Sequence, residues 1–501
     1  QIPNAEIASK YDVTAYSQKR QFIFGGSLFY KINEEDYFSF SVNSKLQKDI
    51  FPIHTITYNK NKNIENNVLT YSDNDTRKNF VNSFLNYNKK IKAIDAQVFT
   101  GLQWSNFDQA LWSNVKNKYN ETQFEWAQLR DQKFKVNVFS GRIDAEKKFE
   151  NEMKFEIGGL YSSAGSKSDF DLLHYENDEK EFSHYDFKEQ NLAGYSQFSG
   201  KIKEVEFSVG VRVENTNVDG KFKADLTPLI RKNYTNFFPK VQLSFPIDSL
   251  KSISVNYAKS ISRPNYSSLS QGTTYINPYF LYARNINLDP TIVNEISSTF
   301  QYHDKSVKLT YYQNTNPVYN SFFFDKELNI MTFKDVNFEK ESALILDFEL
   351  PFTYRFWTTT NSLVLVSEKI EDSSAVFRSS KPYFYYYSNN EFRLPKDYVL
   401  VVGFRTIAKQ YKGVFERNAR TVVDVAVSKT FFKNWSCVLS FNNVFKSITE
   451  AEVFTINNIS SKSRYLIDEH EISVSVKYSF GKVRESEFKG KRMEENSDRI
   501  R

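Results

Sequence analysis

The sequence predicts an all-β fold: one transmembrane antiparallel up-and-down β-barrel of about 20–22 strands, with short periplasmic turns and long extracellular loops. Three observations predict it. Apolar and polar residues alternate with a period of two along about nine strand–turn–strand units spaced by roughly 50 residues. The connections alternate between short charged turns and longer, variable segments. Aromatics make up 16% of the chain, with 46 Phe and 31 Tyr, and barrel walls concentrate such residues in girdles at both membrane interfaces.

The elements follow in chain order. An opening strand is expected near Val13 to Lys19, and the alternating wall is established by about Phe22. Expected tight turns are Asn33-Glu34-Glu35, Asn88-Lys89-Lys90, Glu150-Asn151, Lys201-Ile202, Ile247-Asp248-Ser249, His303-Asp304-Lys305, Phe352-Thr353, Lys396-Asp397 and Lys433-Asn434. Between them the strands are explicit. Met153, Phe155, Ile157 and Tyr161 share one face, with Lys154, Glu156 and Gly158 on the other. Val205, Phe207, Val209, Val211 and Val213 alternate with Glu204, Glu206, Ser208, Gly210, Arg212 and Glu214. Leu344, Leu346, Phe348 and Leu350, then Val423, Val425 and Val427, repeat the pattern. The closing strand, Tyr465 to Phe480, ends on an aromatic. Longer connections are expected at Ile50 to Thr76, Gly165 to Ser183, Asn215 to Asn233, Pro264 to Leu288 and Lys446 to Ser463. This divides the chain into an N-terminal segment (1–20), the barrel (21–481) and a polar periplasmic tail (482–501) too charged to enter lipid.

Period-two alternation also suits a soluble sandwich, whose oily face covers a core. The regular asymmetry of short and long connections favours the membrane. The mean hydropathy of −0.55 does not oppose it, because only every second barrel residue meets lipid. No apolar run approaches the ~18 residues of a membrane-spanning helix, and no periodicity of 3.6 is present. The one cysteine, Cys437, excludes an internal disulfide framework and a cysteine zinc site. The formal net charge of +6 is dispersed, with Lys and Arg interleaved among Asp and Glu, so no nucleic-acid partner is expected. No secretory signal opens the chain; Gln1 is a mature terminus or the start of a piece of a longer protein.

Catalytic chemistry has little to stand on. The five histidines, His54, His174, His184, His303 and His470, show no metal-site spacing. A loop metal site built from His174, His184, Asp169, Asp171, Glu176, Asp178 and Glu179 competes with plain solvated loop charges, which suit the pattern better. No nucleophile elbow or phosphate-binding glycine loop occurs. The expectation is a non-enzyme without cofactor or metal. The binding candidates are aromatics and arginines of one extracellular loop: Arg263, Tyr266, Tyr275, Tyr279, Phe280, Tyr282 and Arg284. Their rings can stack on sugars, peptides or chelates, or else simply pack the base of the loop. Phe384 and Tyr386, at an aromatic strand end, suit the interface girdle.

Tyr257-Ala258-Lys259-Ser260-Ile261-Ser262-Arg263-Pro264, followed by Tyr266, Leu269, Asn277-Pro278-Tyr279 and Tyr282, resembles the outer-membrane barrel of one group of TonB-dependent receptors. Further motifs match in order: Gly210-Val211-Arg212-Val213-Glu214, Phe237-Phe238-Pro239, Phe441-Asn442-Asn443-Val444-Phe445 and Tyr478-Ser479-Phe480-Gly481-Lys482. The resemblance spans roughly residues 75 to 501. The chain departs from the family at Arg284-Asn285-Ile286 and Leu288-Asp289-Pro290-Thr291, and it shows neither a plug domain nor a TonB box near its start. The resemblance implies uptake of a scarce nutrient across the outer membrane of a Gram-negative bacterium. Its implied partners are outer-membrane lipid, the TonB system acting through a plug outside this chain, and a surface lipoprotein or other subunits of an outer-membrane complex. The alternatives are a plugless passive pore or a structural subunit of such a complex.

Overall fold

A computed structural model describes residues 7–61, 64–120, 122–150, 152–225, 227–432, 434–447, 449–457, 459–466, 469–480 and 495–500. One antiparallel sheet of 22 strand segments forms the wall. Some segments are collinear pieces of a single strand. Ile7–Ala15 and Gln18–Lys31 lie in line, as do Tyr37–Ile50 and Ile53–Asn61. Pro52 interrupts the second line because it has no amide hydrogen to give the ladder; its carbonyl accepts from the Tyr16 amide at 3.3 Å. Neighbours in sequence are neighbours in space. Ile64–Ile91 pairs with Ala96–Tyr119 from Ile91 opposite Ala96 to Val68 opposite Tyr119.

Which face is covered decides the fold's environment. Ser105, Ser162 and Thr216 are fully buried inside, while Leu102, Trp104, Phe139, Tyr161 and Leu192 on the outside are 40–62% exposed. A soluble protein buries the oily face. Here the polar face is enclosed and the oily face bare, the arrangement of a wall with lipid outside and a polar lumen within. No described helix is long and apolar enough to cross a membrane; the crossing is made by strands. Cys437 sits in the wall strand Trp435–Asn442, half-buried.

The tight turns fall at one end, with three shifts from expectation; of the expected turns Glu150-Asn151 and Lys433-Asn434, Asn151 and Lys433 lie outside the described residues. Asn88, Lys89 and Lys90 still belong to the strand, and the chain turns at 92–95. Lys201 and Ile202 remain paired, so the turn follows at Lys203 and Glu204. Phe352–Tyr354 pairs with Trp357, Thr358 and Thr359, leaving the turn to Arg355 and Phe356. Each shifted turn has a non-glycine residue in the left-handed region: Asp95 (φ 51°), Lys203 (φ 55°) and Arg355 (φ 56°). Such residues carry a weaker signal than glycine.

At the other end the connections take two forms. The expected loops at 50–76 and 165–183 are mostly strand, because the hairpins continue outward. Lys154–His174 and Glu179–Ile202 are 21 and 24 residues long, about twice what the hydrocarbon layer requires. The expected loop at 215–233 is also largely hairpin, with Gly220 opposite Ile230, whereas the connections after Ser262, Thr315, Ile407 and Asn442 leave the wall. Thr273–Asn277, Phe280–Ala283, Ile330–Asn337 and Val318–Asp325 make a second sheet. Gln410–Tyr411, Phe415–Arg417, Thr449–Ile456 and Ile459–Leu466 make a third. Part of the expected closing strand is therefore loop, and the wall strand itself is Glu471–Tyr478. Phe322 meets Phe333 at 4.6 Å and Phe454 at 5.0 Å, with Ile276, Phe280, Phe338 and Val414 in the same cluster. These two small sheets roof the extracellular mouth.

The ends of the chain also differ from expectation. Pairing begins at Ile7, opposite Asn61, inside the segment assigned to 1–20, because the hairpin it joins extends beyond the membrane. In the tail assigned to the periplasm, Glu495–Ile500 is a 3-10 helix whose Arg499 and Ile500 are buried in the lumen; residues 481–494 and 501 lie outside the described residues. Apolar Ile500 and a partner for Arg499 explain the entry of a polar segment. The wall's two borders, Gln18–Lys31 and Glu471–Tyr478, both run from the extracellular to the periplasmic end, and no pairing joins them among the described residues.

Candidate functional site

Beneath the roof lies a cleft built from four wall strands and the Pro264–Leu288 loop. Alternation in Val205–Phe222 sends Arg212, Glu214, Thr216 and Val218 inward. Glu189 enters from the adjacent Glu179–Ile202, and Lys232 and Tyr234 from Ile230–Pro246. Arg263 follows the strand Lys251–Ser262, where Pro264 stops further pairing and turns the chain inward. Its guanidinium pairs with Glu214 and reaches the Thr216 hydroxyl at 3.3 Å. Arg212 donates to the other Glu214 oxygen at 2.6 Å. Tyr266 is fully buried, its ring 6.2 Å from Phe187 and its hydroxyl 3.4 Å from Glu189. Leu269, Ile286, Leu288 and Pro290 complete the lining, together with Arg499.

The other expected residues fasten the loop. Tyr275 accepts from the Asn117 amide at 3.1 Å, and Arg130 lies 5.3 Å from its ring; burial raises the phenol's pKa. The Tyr279 hydroxyl accepts from Asn66 at 3.5 Å. Phe280 stacks on Tyr11 at 5.3 Å. Since Tyr11, Asn66 and Asn117 belong to Ile7–Ala15, Ile64–Ile91 and Ala96–Tyr119, well round the wall from Lys251–Ser262, the loop reaches across part of the lumen. Arg284 donates to the Ser267 carbonyl at 2.9 Å and the Ser270 hydroxyl at 2.8 Å, and burial lowers its pKa. Gly272 permits this closeness: a Cβ there would come within 2.9 Å of Arg284 Nε. Tyr282 remains 39% exposed, edge-on to Phe333. Thus the structure brings Arg263 and Tyr266 together in the cleft, and uses Tyr275, Tyr279, Phe280 and Arg284 as fasteners.

Sequence reasoning missed Glu189, Lys232, Tyr234 and Arg499 as site residues. Arg212 and Glu214 were visible as inward charges, but alternation alone cannot show which strand end lies under the loop. The histidine cluster resolves into pairs. His184 Nδ1 meets Asp169, and its Nε2 is 3.5 Å from Asp186. His174 Nε2 is 3.0 Å from Glu181. Among the described residues no group of three or more His, Cys, Asp or Glu side chains is placed to hold a metal. At the extended end, Phe384 is 41% exposed on the outer face, while the Tyr386 hydroxyl donates to Asn361 at 2.9 Å. In chemical terms the cleft offers two enclosed carboxylates matched by arginines, an aromatic floor and apolar walls. Those are features of a binding site.

No curated protein matches the chain. Solved structures share its fold. It is similar to the copper transporter OprC (TM-score 0.62, 10% identity, covering 95% of this chain and 81% of that one). It is similar to BauA, the ferric preacinetobactin receptor from Acinetobacter baumannii (TM-score 0.55, 11% identity, 94% and 81% covered). It is likewise similar to the ferric yersiniabactin uptake receptor FyuA from Yersinia pestis (TM-score 0.53, 8% identity, 94% and 80% covered). Identity this low speaks for the fold alone. A sequence model of one family matches residues 89–478. With that match across most of its length, and an oily wall around a polar lumen, this chain of the Gram-negative outer membrane belongs to the outer membrane protein beta-barrel family.

Proposed function

We propose that the chain is the barrel of a TonB-dependent receptor that captures a scarce nutrient at the cell surface and admits it across the outer membrane. The observation that carries this reading is the roofed lumen. Two small sheets, joined through Phe322, Phe333 and Phe454, cover the mouth above a cleft with apolar walls and enclosed charges. A passive pore has no use for a packed roof, whereas a gated receptor needs a site that opens only when ligand and energy are both supplied. Similar folds include proteins described as transporters and ferric-ligand receptors. In this reading the extracellular loops bind, the wall supplies charge complementarity, and a plug outside this chain conveys TonB's work to the site. A surface lipoprotein partner would cap the same loops. The chain binds and passes its ligand without transforming it.

Two measurements test the proposal. Purified protein in a planar bilayer should carry no steady current, and a sustained open level would favour a passive pore. A deletion strain should lose growth under nutrient limitation to the same degree as a strain lacking TonB. Growth that ignores both deletions would favour a structural subunit.

A further inference from the structure

We infer that Glu189, Tyr266 and the Pro264 carbonyl form a guanidinium site, suited to a peptide carrying arginine beside an apolar side chain, and that Glu495–Ile500 is its displaceable occupant in cis. As to the incoming ligand, this deepens the receptor reading and rests on it.

Every face of the Arg499 guanidinium is matched. Nη1 lies 2.5 Å from Glu189 Oε1 and Nη2 3.1 Å from Oε2, a two-pronged pairing across one carboxylate. Nε donates to the Pro264 carbonyl at 2.9 Å, and Nη1 also reaches the Tyr266 hydroxyl at 3.2 Å. The Tyr266 ring lies beneath the plane at 4.2 Å. A lysine ammonium is a point charge and cannot satisfy this planar set together. The side chains of Glu189 and Arg499 are each only 4% exposed. Next to them Ile500 is fully enclosed in the apolar cluster with Leu269, Val136 and Phe187. The Tyr266 amide fixes the backbone between, donating to the Arg499 carbonyl at 3.1 Å. Charge clamp, apolar socket and backbone donor together read a dipeptide.

Hydrogen bonding at Glu189 favours a guanidinium occupant. Arg263 and Arg212 are engaged by Glu214. Withdrawing Arg499 removes the two-pronged partner of an enclosed carboxylate and leaves it the Asn191 amide at 3.1 Å, the Tyr266 hydroxyl and the field of Arg263, whose own hydrogen bonds go to Glu214 and Thr216. The occupant, by contrast, has little of its own to hold it. A six-residue 3-10 helix is not stable alone, so the site imposes its position. The cleft also continues past Arg499 toward Lys232, Tyr234 and Ile286, beyond what the cis segment uses.

The full chain in detergent tests this, with folded variants identified by heat-modifiable gel migration. The probe is the hexapeptide Glu-Asn-Ser-Asp-Arg-Ile, beside versions with citrulline or lysine for arginine. Arg499→Ala/Ile500→Ala should bind the hexapeptide about tenfold tighter than the unaltered chain, and the citrulline and lysine versions about tenfold weaker, by calorimetry. Adding Glu189→Gln should abolish that binding. If the double variant does not fold, Ile500→Cys in a Cys437→Ser chain gives the same information: hexapeptide should speed its labelling by a thiol reagent and the citrulline version should not. Equal binding of citrulline and arginine peptides, or indifference to Glu189→Gln, overturns the guanidinium site. Rapid labelling of Ile500→Cys without peptide overturns the cis occupancy. Arginine-selective binding without TonB-dependent growth would sink the receptor reading and leave this site standing; TonB-dependent growth without such binding would do the reverse.

Discussion

Arg263 and Glu214 meet where their side chains are 5% and 3% exposed, so neither charge can turn to water if the other is lost. Arg263→Ala should cost about 3 kcal/mol in thermal unfolding, at the lower end for a broken buried pair because Arg212 remains with Glu214. Replacing both, as Arg263→Met with Glu214→Gln, should recover much of the loss, since neither enclosed charge is left and Arg212, whose side chain is 30% exposed, can turn to water. A second residue acts at the periplasmic end. Asp248 accepts from the Leu250 amide at 2.8 Å and the Lys251 amide at 2.9 Å. The Leu250 amide, then the Lys251 side chain, hold its carboxyl below the ordinary value. Its folded pKa is thus lower than its unfolded one. The contribution is full above the ordinary carboxylate range and fades as pH falls through the lowered folded value. Amide exchange of that turn, corrected for intrinsic rates, should accelerate on acidification, and Asp248→Asn should flatten the profile.

Among the strands, orientation is set by a period of two, and every second residue has one environment. Val211, 42% exposed on the outer face, should tolerate arginine poorly: Val211→Arg is expected to cost about 2–4 kcal/mol if it lies near the bilayer midplane. Ser208→Arg points into the lumen beside Glu206 and Gln242 and should fold nearly as well as the original. The folded fraction in lipid vesicles compares the two. This alternation is also why the wall was legible beforehand. Val205 to Val213 on one face and Glu206 to Glu214 on the other need no tertiary information. The turns were less legible, because charged residues such as Lys89 and Lys90 fit a strand end as well as a bend, and Asp95 rather than glycine makes the reversal. The extended hairpins escaped notice for a related reason. Toward their outer ends the stripe fails, as in Gly165-Ser166-Lys167-Ser168-Asp169, which offers no oily face to follow.

For the whole molecule, what governs passage is the roof. Removing aromatic contacts worth about 0.5–1.5 kcal/mol apiece should loosen it without touching the wall. Phe322→Ala with Phe454→Ala should therefore convert a silent protein into one showing intermittent current steps in planar bilayers. Unaltered quiet recordings from that variant would show that closure depends on other contacts. Long-range arrangement of this kind was not readable from composition or spacing. Tyr275 and Asn117 are 158 positions apart, and Arg499 and Glu189 are 310 apart. Only the circle traced by the wall brings them together. The loop aromatics share one segment of sequence, but whether a ring faces ligand or neighbour depends on the wall it meets.

The shared direction of the two wall borders constrains any seam between them. A direct join of Gln18–Lys31 to Glu471–Tyr478 would be a parallel zip, with slanted rather than perpendicular bonds. Closure of the antiparallel kind instead demands an odd number of intervening strands, since each one added reverses the polarity. Hydrocarbon leaves no third choice, because bare amides and carbonyls at either margin would find nothing there to bond.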